Sequence, residues 1–205
     1  MEEINAINIP FYSFQADNSL VEEIKQVVEK LNYEAENDLT NGYVSPKFYN
    51  EKIFNFFNAS INQVKNIYYK NDIEFPIVDC WVNKYTTMNK LNKHNHRNSV
   101  ICGLYYVTSH DDYAQTVFNA RSPWNFMSID GLNLTIHKEE FPTLSGKITA
   151  TEGKLILFPA NLYHYMNTIS KNFTVRYTIA FNTFPSGIIS DWKSSRLQIK
   201  TNGTN

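Results

Sequence analysis

Residues 80–107 read CWVNKYTTMNKLNKHNHRNSVICGLYYV, and this stretch decides the fold. Its aromatic, apolar beginning predicts a strand, a polar loop follows, and the apolar run at its end predicts a second strand. Two histidines, His94 and His96, stand one residue apart where the polar part ends. The stretch therefore predicts two strands that present a pair of imidazoles near their junction.

Many short strand patterns, separated by turn residues, follow this stretch. Alternating or apolar runs predict strands over 99–108, 115–118, 133–137, 147–149, 154–158, 163–166 and 173–182. Such a series is typical of a sandwich or a barrel. The predicted fold class is mainly β (α+β), a double-sheet jelly roll over about residues 73–192.

Two helix patterns precede the strands and predict a helical cover over about residues 17–70. In 19–33 apolar residues recur at helical spacing after a Ser-x-x-Glu capping box. In 47–69 aromatic and aliphatic residues recur at steps of three and four. The polar segment 35–46 contains an Asn-Gly pair and is predicted to be a loop. We expect residues 1–205 to form one domain, with the helices flanking the jelly roll.

The histidines form a candidate metal site. His94 and His96 lie at positions i and i+2, so on an extended segment their imidazoles point to the same side. His164 follows a Pro-Ala-Asn corner that would return the chain to the same end of the barrel. Imidazole binds iron, zinc, copper and nickel, so the ligand type alone does not choose the metal.

Arg176 lies in an apolar, alternating strand and suggests an anion site. Alternation places Arg176 and Thr178 on one face of the strand and Tyr177 on the other. A guanidinium inside a barrel is costly unless it meets an anion, and its planar fork matches a carboxylate. We expect a bound carboxylate here, hydrogen-bonded also by Thr178. The alternative is a strand-edge arginine that pairs with a surface acid.

Composition limits the function classes. The net charge is −1, which provides no basic field for nucleic acid and argues against a nucleic-acid partner. Cys80 and Cys102 form no spaced pair, which fits a reducing compartment. No signal-peptide pattern and no run near the ~20 apolar residues of a membrane span is present. The predicted location is cytoplasmic without a membrane partner, and a homodimer is one option for the oligomeric state.

In combination these motifs resemble the iron(II)- and 2-oxoglutarate-dependent oxygenases, and in particular a family common in phage and marine bacterial genomes. The resemblance covers roughly residues 79–187. The matching sequence segments are Trp81-Val82-Asn83, His94-Asn95-His96, Gly103-Leu104-Tyr105-Tyr106-Val107, Leu157-Phe158-Pro159 with His164, and Arg176 to Phe181-Asn182. The resemblance implies a double-stranded β-helix, Fe(II) as cofactor, 2-oxoglutarate and O2 as co-substrates, and the host cytoplasm if the protein is phage-encoded.

The resemblance also assigns roles to individual residues. The implied metal ligands are His94, His96 and His164. The implied contacts of 2-oxoglutarate are Arg176, Thr178, Asn83 and Tyr85. Asn83 and Tyr85 match the Asn-x-Tyr segment of the nucleic-acid-demethylating branch, and they share a strand face. Tyr105 and Trp124 are assigned to the primary substrate, Trp124 within a segment, 109–130, that would cover the site.

His96 departs from the usual pattern of the iron(II)- and 2-oxoglutarate-dependent oxygenases, which has Asp or Glu at this position. The implied ligand set is therefore neutral. The implied activity is oxidative decarboxylation of 2-oxoglutarate coupled to hydroxylation of an unactivated C–H bond in an unknown peptidyl or small-molecule substrate. Two alternatives stay open: a cupin-like three-histidine metalloprotein or dioxygenase that does not use 2-oxoglutarate, and a non-catalytic binding protein on the same fold.

Overall fold

The structure is a computed structural model that describes residues 11–35, 39–69, 73–108, 115–120, 144–166, 175–189 and 197–201. Its helices are α1 (Asn18–Val28) and α2 (Glu51–Tyr68). Its strands are β1 (Tyr12–Gln15), β2 (Glu34–Ala35), β3 (Leu39–Ser45), β4 (Ile73–Glu74), β5 (Ile77–His94), β6 (Ile101–Tyr106), β7 (Gln115–Ala120), β8 (Leu144–Thr149), β9 (Lys154–Pro159), β10 (Tyr163–Met166), β11 (Arg176–Thr183), β12 (Ser186–Ile189) and β13 (Leu197–Ile199). The predicted fold class, mainly β with N-terminal helices, is confirmed.

One antiparallel sheet of ten strands forms the barrel, with the path β1-β9-β6-β11-β5-β10-β7-β8 and with β2 and β3 beside it. Strand β5 belongs to both walls of the barrel. Its first part pairs with β11, where Tyr85 lies opposite Arg176, and its last part pairs with β10, where His94 lies opposite His164. Because β5 belongs to both walls, the sheet folds over into the two layers of a jelly roll. A separate sheet contains β13, β12 and β4.

Two local predictions are wrong. The polar segment within 86–93 was expected to be a loop but continues β5 to His94. Most of 35–46, also expected to be a loop, forms β3, in which Tyr43 and Val44 pair with Lys84 and Asn83. In both places pairing with a neighbouring strand outweighs the local preference of polar and Asn-Gly sequences. The predicted strand at 133–137 lies outside the described residues.

Helix α2 begins at Glu51, later than its sequence pattern suggests, and α1 begins at Asn18, one residue before the Ser19 of the capping box. Asp17 caps α1 by accepting a hydrogen bond from the Leu20 amide at 2.9 Å, so Ser19 is not the capping residue. Asn50 caps α2 by accepting from the Lys52 and Ile53 amides. Each cap satisfies amides that the helix leaves unpaired, which sets where the helix starts. Neither helix is long and apolar enough to cross a membrane, considering the described residues.

Strand alternation divides the apolar residues into two clusters. The helix-side cluster includes Phe57 of α2, Tyr105 and Phe181, with the Phe57 and Phe181 ring centroids 4.7 Å apart. The interior cluster includes Tyr106, Phe118 and Phe158, among others. Each buried aromatic ring on the helix side contributes about 1.5–3 kcal/mol through loss of apolar surface to water. This packing holds the barrel wall against α2 and leaves the opposite strand faces to line the barrel interior.

Gly103 allows the close approach of β6 and the Phe181 ring. Phe181 pairs with Gly103 across the strands, and a Cβ at Gly103 would lie 2.0 Å from Phe181 Cζ. Any side chain here would displace Phe181 from its contact with α2. Glycine at this position thus keeps β6 and β11 in the register that places Thr178 opposite Tyr106.

Candidate metal centre

Three histidines converge at the junction of β5 and β10. One ligand atom from each of His94, His96 and His164 lies within 4.8 Å of the others, and this is the one such group of His, Cys, Asp or Glu among the described residues. The Nε2 atoms of His96 and His164 are 3.3 Å apart. His164 is 5% exposed, whereas the other two are half-buried. The cluster combines a buried wall with a side that remains accessible.

Backbone carbonyls fix the tautomers of two of these imidazoles. Nδ1 of His94 lies 2.8 Å from the Asn92 carbonyl oxygen, and Nδ1 of His164 lies 3.1 Å from the Leu162 carbonyl oxygen. A carbonyl can only accept, so each Nδ1 carries the proton and donates it. The lone pair of each ring is therefore on Nε2, which is the arrangement found when a histidine binds a metal ion.

The environment keeps two of the rings neutral. Burial, assisted by neighbouring His94, lowers the pKa of His96 to about 4 and the pKa of His164 to about 3. Neutral imidazole is the form that binds a metal ion. Two nitrogens bound to one transition metal at about 2.1 Å lie about 3.0–3.4 Å apart, and the Nε2 pair has this spacing. The donor set and its geometry therefore fit a divalent transition-metal ion.

Aromatic rings surround the histidines. The Trp81 ring stacks on His96 at 5.8 Å between centroids and 30° between planes. Phe158 and Phe118 approach His164, with centroids 5.0 and 5.8 Å away. These rings restrict the imidazole orientations and limit access of water, which accounts for the low pKa values. Apolar surroundings of this kind also control the properties of a bound metal.

Arg176 lies in the same interior and is 1% exposed. Its guanidinium carbon lies 5.4 Å from the Tyr85 ring centroid and 5.5 Å from the Tyr106 ring centroid. Its Nη1 lies 2.8 Å from Sδ of Met166, which is two residues after His164 on β10. Burial lowers the pKa of the guanidinium, against the opposing effect of the two phenols. Arg176 and the histidines therefore line one continuous interior.

Uncharged polar groups border the guanidinium. Thr178 is fully buried, and its Oγ1 accepts a hydrogen bond of 3.4 Å from Asn83 Nδ2. Tyr106 donates to Thr116 Oγ1 at 2.8 Å. Burial raises the pKa of Tyr85, while Arg176 and a hydrogen bond with Thr178 oppose the rise. These groups can orient a bound carboxylate without adding a competing charge.

The model of a family described as "Putative 2OG-Fe(II) oxygenase" matches residues 79–182, half of the chain. The chain belongs to this 2OG-Fe(II) oxygenase family. The matched region contains all three histidines, Asn83, Tyr85 and Arg176. Fe(II) and 2-oxoglutarate, the cofactor and co-substrate that the resemblance predicts, are those of the family.

Solved structures of similar fold include a member of a 2OG-Fe(II) oxygenase family. An oxidoreductase of the 2OG-Fe(II) oxygenase family from Burkholderia pseudomallei has 12% identity and a TM-score of 0.61, with 85% of this chain and 84% of that chain covered. HygX from Streptomyces hygroscopicus, with nickel and 2-oxoglutarate bound, has 12% identity, a TM-score of 0.59 and coverage of 86% and 83%. A Pseudomonas putida prolyl-4-hydroxylase has 13% identity, a TM-score of 0.56 and coverage of 86% and 93%. No curated protein matches the sequence significantly. At these identities the structures support the oxygenase fold.

The oxygenase structure corrects one assigned substrate contact. Tyr105 is fully buried on the helix side of β6, with its ring centroid 5.7 Å from that of Phe57. It therefore cannot reach the interior that contains the histidines. Trp124, the other assigned substrate contact, lies outside the described residues, as does most of 109–130.

Sequence reasoning missed several residues that line the oxygenase interior. These are Trp81, Tyr106, Thr116, Phe118, Phe158 and Met166. The alternation of side chains along the strand could have identified Trp81, because it shares a face with Asn83 and Tyr85. The remaining residues depend on the register between strands. For example, Tyr106 was identifiable only once Thr178 was known to lie opposite it.

Proposed function

We propose that this oxygenase hydroxylates an unactivated C–H bond of a peptidyl or small-molecule substrate, with Fe(II) at the three histidines and 2-oxoglutarate at Arg176. One observation carries the proposal. Three convergent imidazoles and a buried guanidinium line the same barrel interior, joined through His164 and Met166 of β10. A metal site and a carboxylate site in one interior can take the two ends of a chelating dicarboxylate.

In this proposal His94, His96 and His164 bind the metal through Nε2. The carbonyls of Asn92 and Leu162 hold two of the rings in the metal-binding tautomer. Trp81 restricts the orientation of His96 through ring stacking. Because the rings are neutral and held in position before the metal arrives, little reorganisation accompanies binding.

Arg176 binds the distal carboxylate of 2-oxoglutarate through two parallel hydrogen bonds. Thr178 and Tyr85 add hydroxyl groups, and Asn83 orients Thr178 by donating to its Oγ1. Bound Fe(II) and 2-oxoglutarate supply the O2-dependent decarboxylation that yields succinate and CO2 and places an oxygen atom in the substrate C–H bond. Phe118 and Phe158 exclude water from the His164 side of the site.

Both proposed substrate classes have support among proteins of similar fold. HygX has been solved with hygromycin B bound, and another similar structure is a prolyl-4-hydroxylase. Low identity limits this support to the fold. Assays therefore need peptides as well as small molecules. We also propose a cytoplasmic location, supported by two buried free cysteines, Cys80 and Cys102. A phage origin and a homodimer remain predictions.

Succinate release tests the proposal. The chain is reconstituted with Fe(II) without oxygen, then given 2-oxoglutarate, O2 and a substrate panel. We expect succinate from the intact chain and loss of at least about 100-fold in His164→Ala and Arg176→Ala, since each removes a group that binds the cofactor or co-substrate. Tyr105→Phe, on the helix side, serves as the matched control.

The same assay separates the two alternatives. Turnover that persists in Arg176→Ala would favour a cupin-like enzyme that does not use 2-oxoglutarate. Metal binding without succinate release under any condition would favour a non-catalytic binding protein. Activity with Zn(II) alone would contradict the oxygenase proposal, because zinc has no redox chemistry.

A further inference from the structure

The pairing of β6 with β11 ends in an irregular contact centred on Thr183. The two strands pair regularly as far as Asn182, which lies opposite Cys102. The next residue of β11, Thr183, contacts two residues instead of one. Its carbonyl oxygen accepts a hydrogen bond from the Val100 amide at 3.1 Å, and its hydroxyl contacts the backbone of Ile101. Two residues opposite one is the arrangement of a β-bulge, which changes the direction of the chain and can re-aim a side chain.

The Thr183 hydroxyl takes the place of a backbone partner for Ile101. Its Oγ1 accepts a hydrogen bond from the Ile101 amide at 3.2 Å and donates one to the Ile101 carbonyl oxygen at 2.9 Å. Both residues are buried, so water is a poor substitute for the hydroxyl. Ser99 adds a further link, because its Oγ donates to the Thr183 carbonyl oxygen at 3.0 Å. The Thr183 side chain thus fixes the direction of the backbone at the start of β6.

A short path of hydrogen bonds connects this bulge with His96. The carbonyl oxygen of Val100 accepts a hydrogen bond from the Ala160 amide at 3.0 Å. The Ala160 carbonyl oxygen in turn accepts one from the His96 amide, also at 3.0 Å. Within this turn, Asn98 adopts a left-handed conformation with a φ of 55°, which asparagine tolerates better than most residues. The turn 96–100 is therefore closed by Ala160 and anchored by Thr183.

The corner that closes this turn also orients His164. The Leu162 amide donates to the Pro159 carbonyl oxygen at 3.0 Å, which forms the corner. The Leu162 carbonyl oxygen then accepts a hydrogen bond from Nδ1 of His164 at 3.1 Å. Ala160, the backbone partner of His96, lies within the same corner and is buried. A shift of the turn 96–100 against this corner would therefore change the separation of the two Nε2 atoms, which is 3.3 Å.

We propose that Thr183 is a positioning residue for the metal centre, because its hydroxyl holds the bulge that sets the turn 96–100 and thereby the place of His96. The inference rests on the proposed function, since it treats His96 as a ligand of the metal ion. Removing a group that orients a metal ligand commonly lowers metal affinity by about 10- to 100-fold. Thr183 acts on His96 through the backbone, so we expect the lower end of this range, about 10-fold.

Co(II) binding to the metal-free full chain measures this effect without turnover, and the visible absorption of bound Co(II) reports its coordination geometry. Thr183→Val keeps the shape of the side chain but removes the hydroxyl, and we expect about 10-fold weaker Co(II) binding and an altered spectrum. Thr183→Ser retains the hydroxyl and should keep both the affinity and the spectrum of the intact chain. Equal Co(II) affinity in the valine variant and the intact chain would overturn the proposal, as would equal losses in the valine and serine variants.

Ser60 provides the matched control. It is also buried, and its Oγ donates to the Phe56 carbonyl oxygen at 2.9 Å within α2. Ser60→Ala therefore removes a buried hydroxyl and its hydrogen bond on the helix side of the barrel wall. We expect this variant to bind Co(II) as the intact chain does, whatever its thermal stability. A loss equal to that of Thr183→Val would mean that any buried hydrogen bond affects the metal centre, and the proposal would fail.

A double-mutant cycle tests whether Thr183 acts through His96. Thr183→Val is combined with His96→Ala, and Co(II) affinity is measured for the two single variants and the double variant. Once His96 no longer binds the metal, its position should not matter, so Thr183→Val should cause little further loss in the His96→Ala background. An equal loss in both backgrounds would contradict the proposal, because Thr183 would then act independently of His96.

Circular dichroism and thermal unfolding establish that the variants fold. If Thr183→Val does not fold, Ser99→Ala replaces it, since this change removes one hydrogen bond to Thr183 and should weaken Co(II) binding by about 3-fold. Unchanged affinity in Ser99→Ala would then overturn the proposal. An intact chain that binds no Co(II) would refute the proposed function together with this inference. Co(II) binding that does not respond to Thr183 would refute this inference alone.

Discussion

His96 and His164 face each other through their Nε2 atoms, 3.3 Å apart, with ring planes only 7° from parallel. Protonating both rings would place two positive charges together inside an apolar wall formed by Trp81, Phe118 and Phe158. Burial among these rings, and to a smaller extent the neighbouring His94, is why the pKa of each ring is low. The pair therefore links folding stability to pH.

We expect the metal-free protein to lose stability as the pH falls below about 6.5, the unfolded histidine pKa. The folded pKa values are about 4 for His96 and about 3 for His164. Because these folded pKa values are depressed, the unfolded chain binds more protons than the folded chain. The free energy of unfolding therefore decreases as the pH falls from 6.5 to 4. The expected loss at pH 5 is about 2–4 kcal/mol. Urea unfolding with a chelator present at pH 7, 6 and 5 measures it.

The His164→Asn variant is the control for the pH effect. It removes one of the two depressed titrations and should show about half of the pH dependence. An equally steep loss of stability in this variant would mean that other groups cause the acid sensitivity.

Replacing Arg176 with methionine should weaken 2-oxoglutarate binding selectively. The substitution keeps a side chain of similar length in the interior but removes the donors for a carboxylate. The loss of charge-assisted hydrogen bonds predicts a KM for 2-oxoglutarate raised by about 10- to 100-fold. Succinate release over a range of 2-oxoglutarate concentrations measures KM. Arg176→Lys, which keeps the charge without the planar fork, should give an intermediate KM, and an unchanged KM in Arg176→Met would refute the assignment.

Trp81 should act as a positioning residue for His96. The Trp81→Leu variant removes the stacked ring, and metal affinity measured with 2-oxoglutarate present should fall by about 10-fold, as for other partners that orient metal ligands. Trp81→Phe retains an aromatic plane and should lose much less. The two variants differ in ring contact but not in charge. Equal affinities for the leucine and phenylalanine variants would show that the stack does not position His96.

Tyr105 and Tyr106 form a matched pair that tests which face of β6 lines the site. Among the described residues, Tyr105 Oη has no hydrogen-bond partner, so Tyr105→Phe should leave stability and the KM for 2-oxoglutarate unchanged. Tyr106→Phe removes the hydrogen bond to Thr116 and should cost about 1 kcal/mol and raise that KM. Urea unfolding and succinate release measure the two effects. The reverse result would place the site on the helix side.

The fold was largely predictable because the alternation of apolar and polar residues along a strand indicates which side chains are buried. Ser186–Ile189 and Leu197–Ile199 apart, the strands beyond residue 115 that the structure describes lie where apolar periodicity predicted them. The errors fell where polar sequence pairs with a neighbour. Segment 39–45 contains Asn41 and Gly42, yet it lies along β5, and the polar residues before His94 continue the strand. Such pairing depends on the partner strand, which local composition does not reveal.

The site was predictable as far as single strands specify it. The spacing of His94 and His96 and the alternation around Arg176 required only one strand each; the histidines converge with His164, and Arg176 contacts Met166 on the strand of His164. Contacts between side chains on different strands could be predicted only if the register between those strands was known. The choice of Tyr105 over Tyr106 failed because a single-residue difference in parity decides which side of the wall a side chain faces.

One uninterrupted strand, β5, contains both the residues opposite Arg176 and Thr178 and the first histidine of the cluster. The distance between the Arg176 site and the histidine cluster is therefore set by the number of residues along one strand. It does not depend on how a loop packs. Adding or removing one residue within 87–90 would turn His94 outward while Tyr85 kept its place. The length of β5 between Tyr85 and His94 should therefore matter more than its sequence. Insertions or deletions there should damage the site far more than point substitutions do.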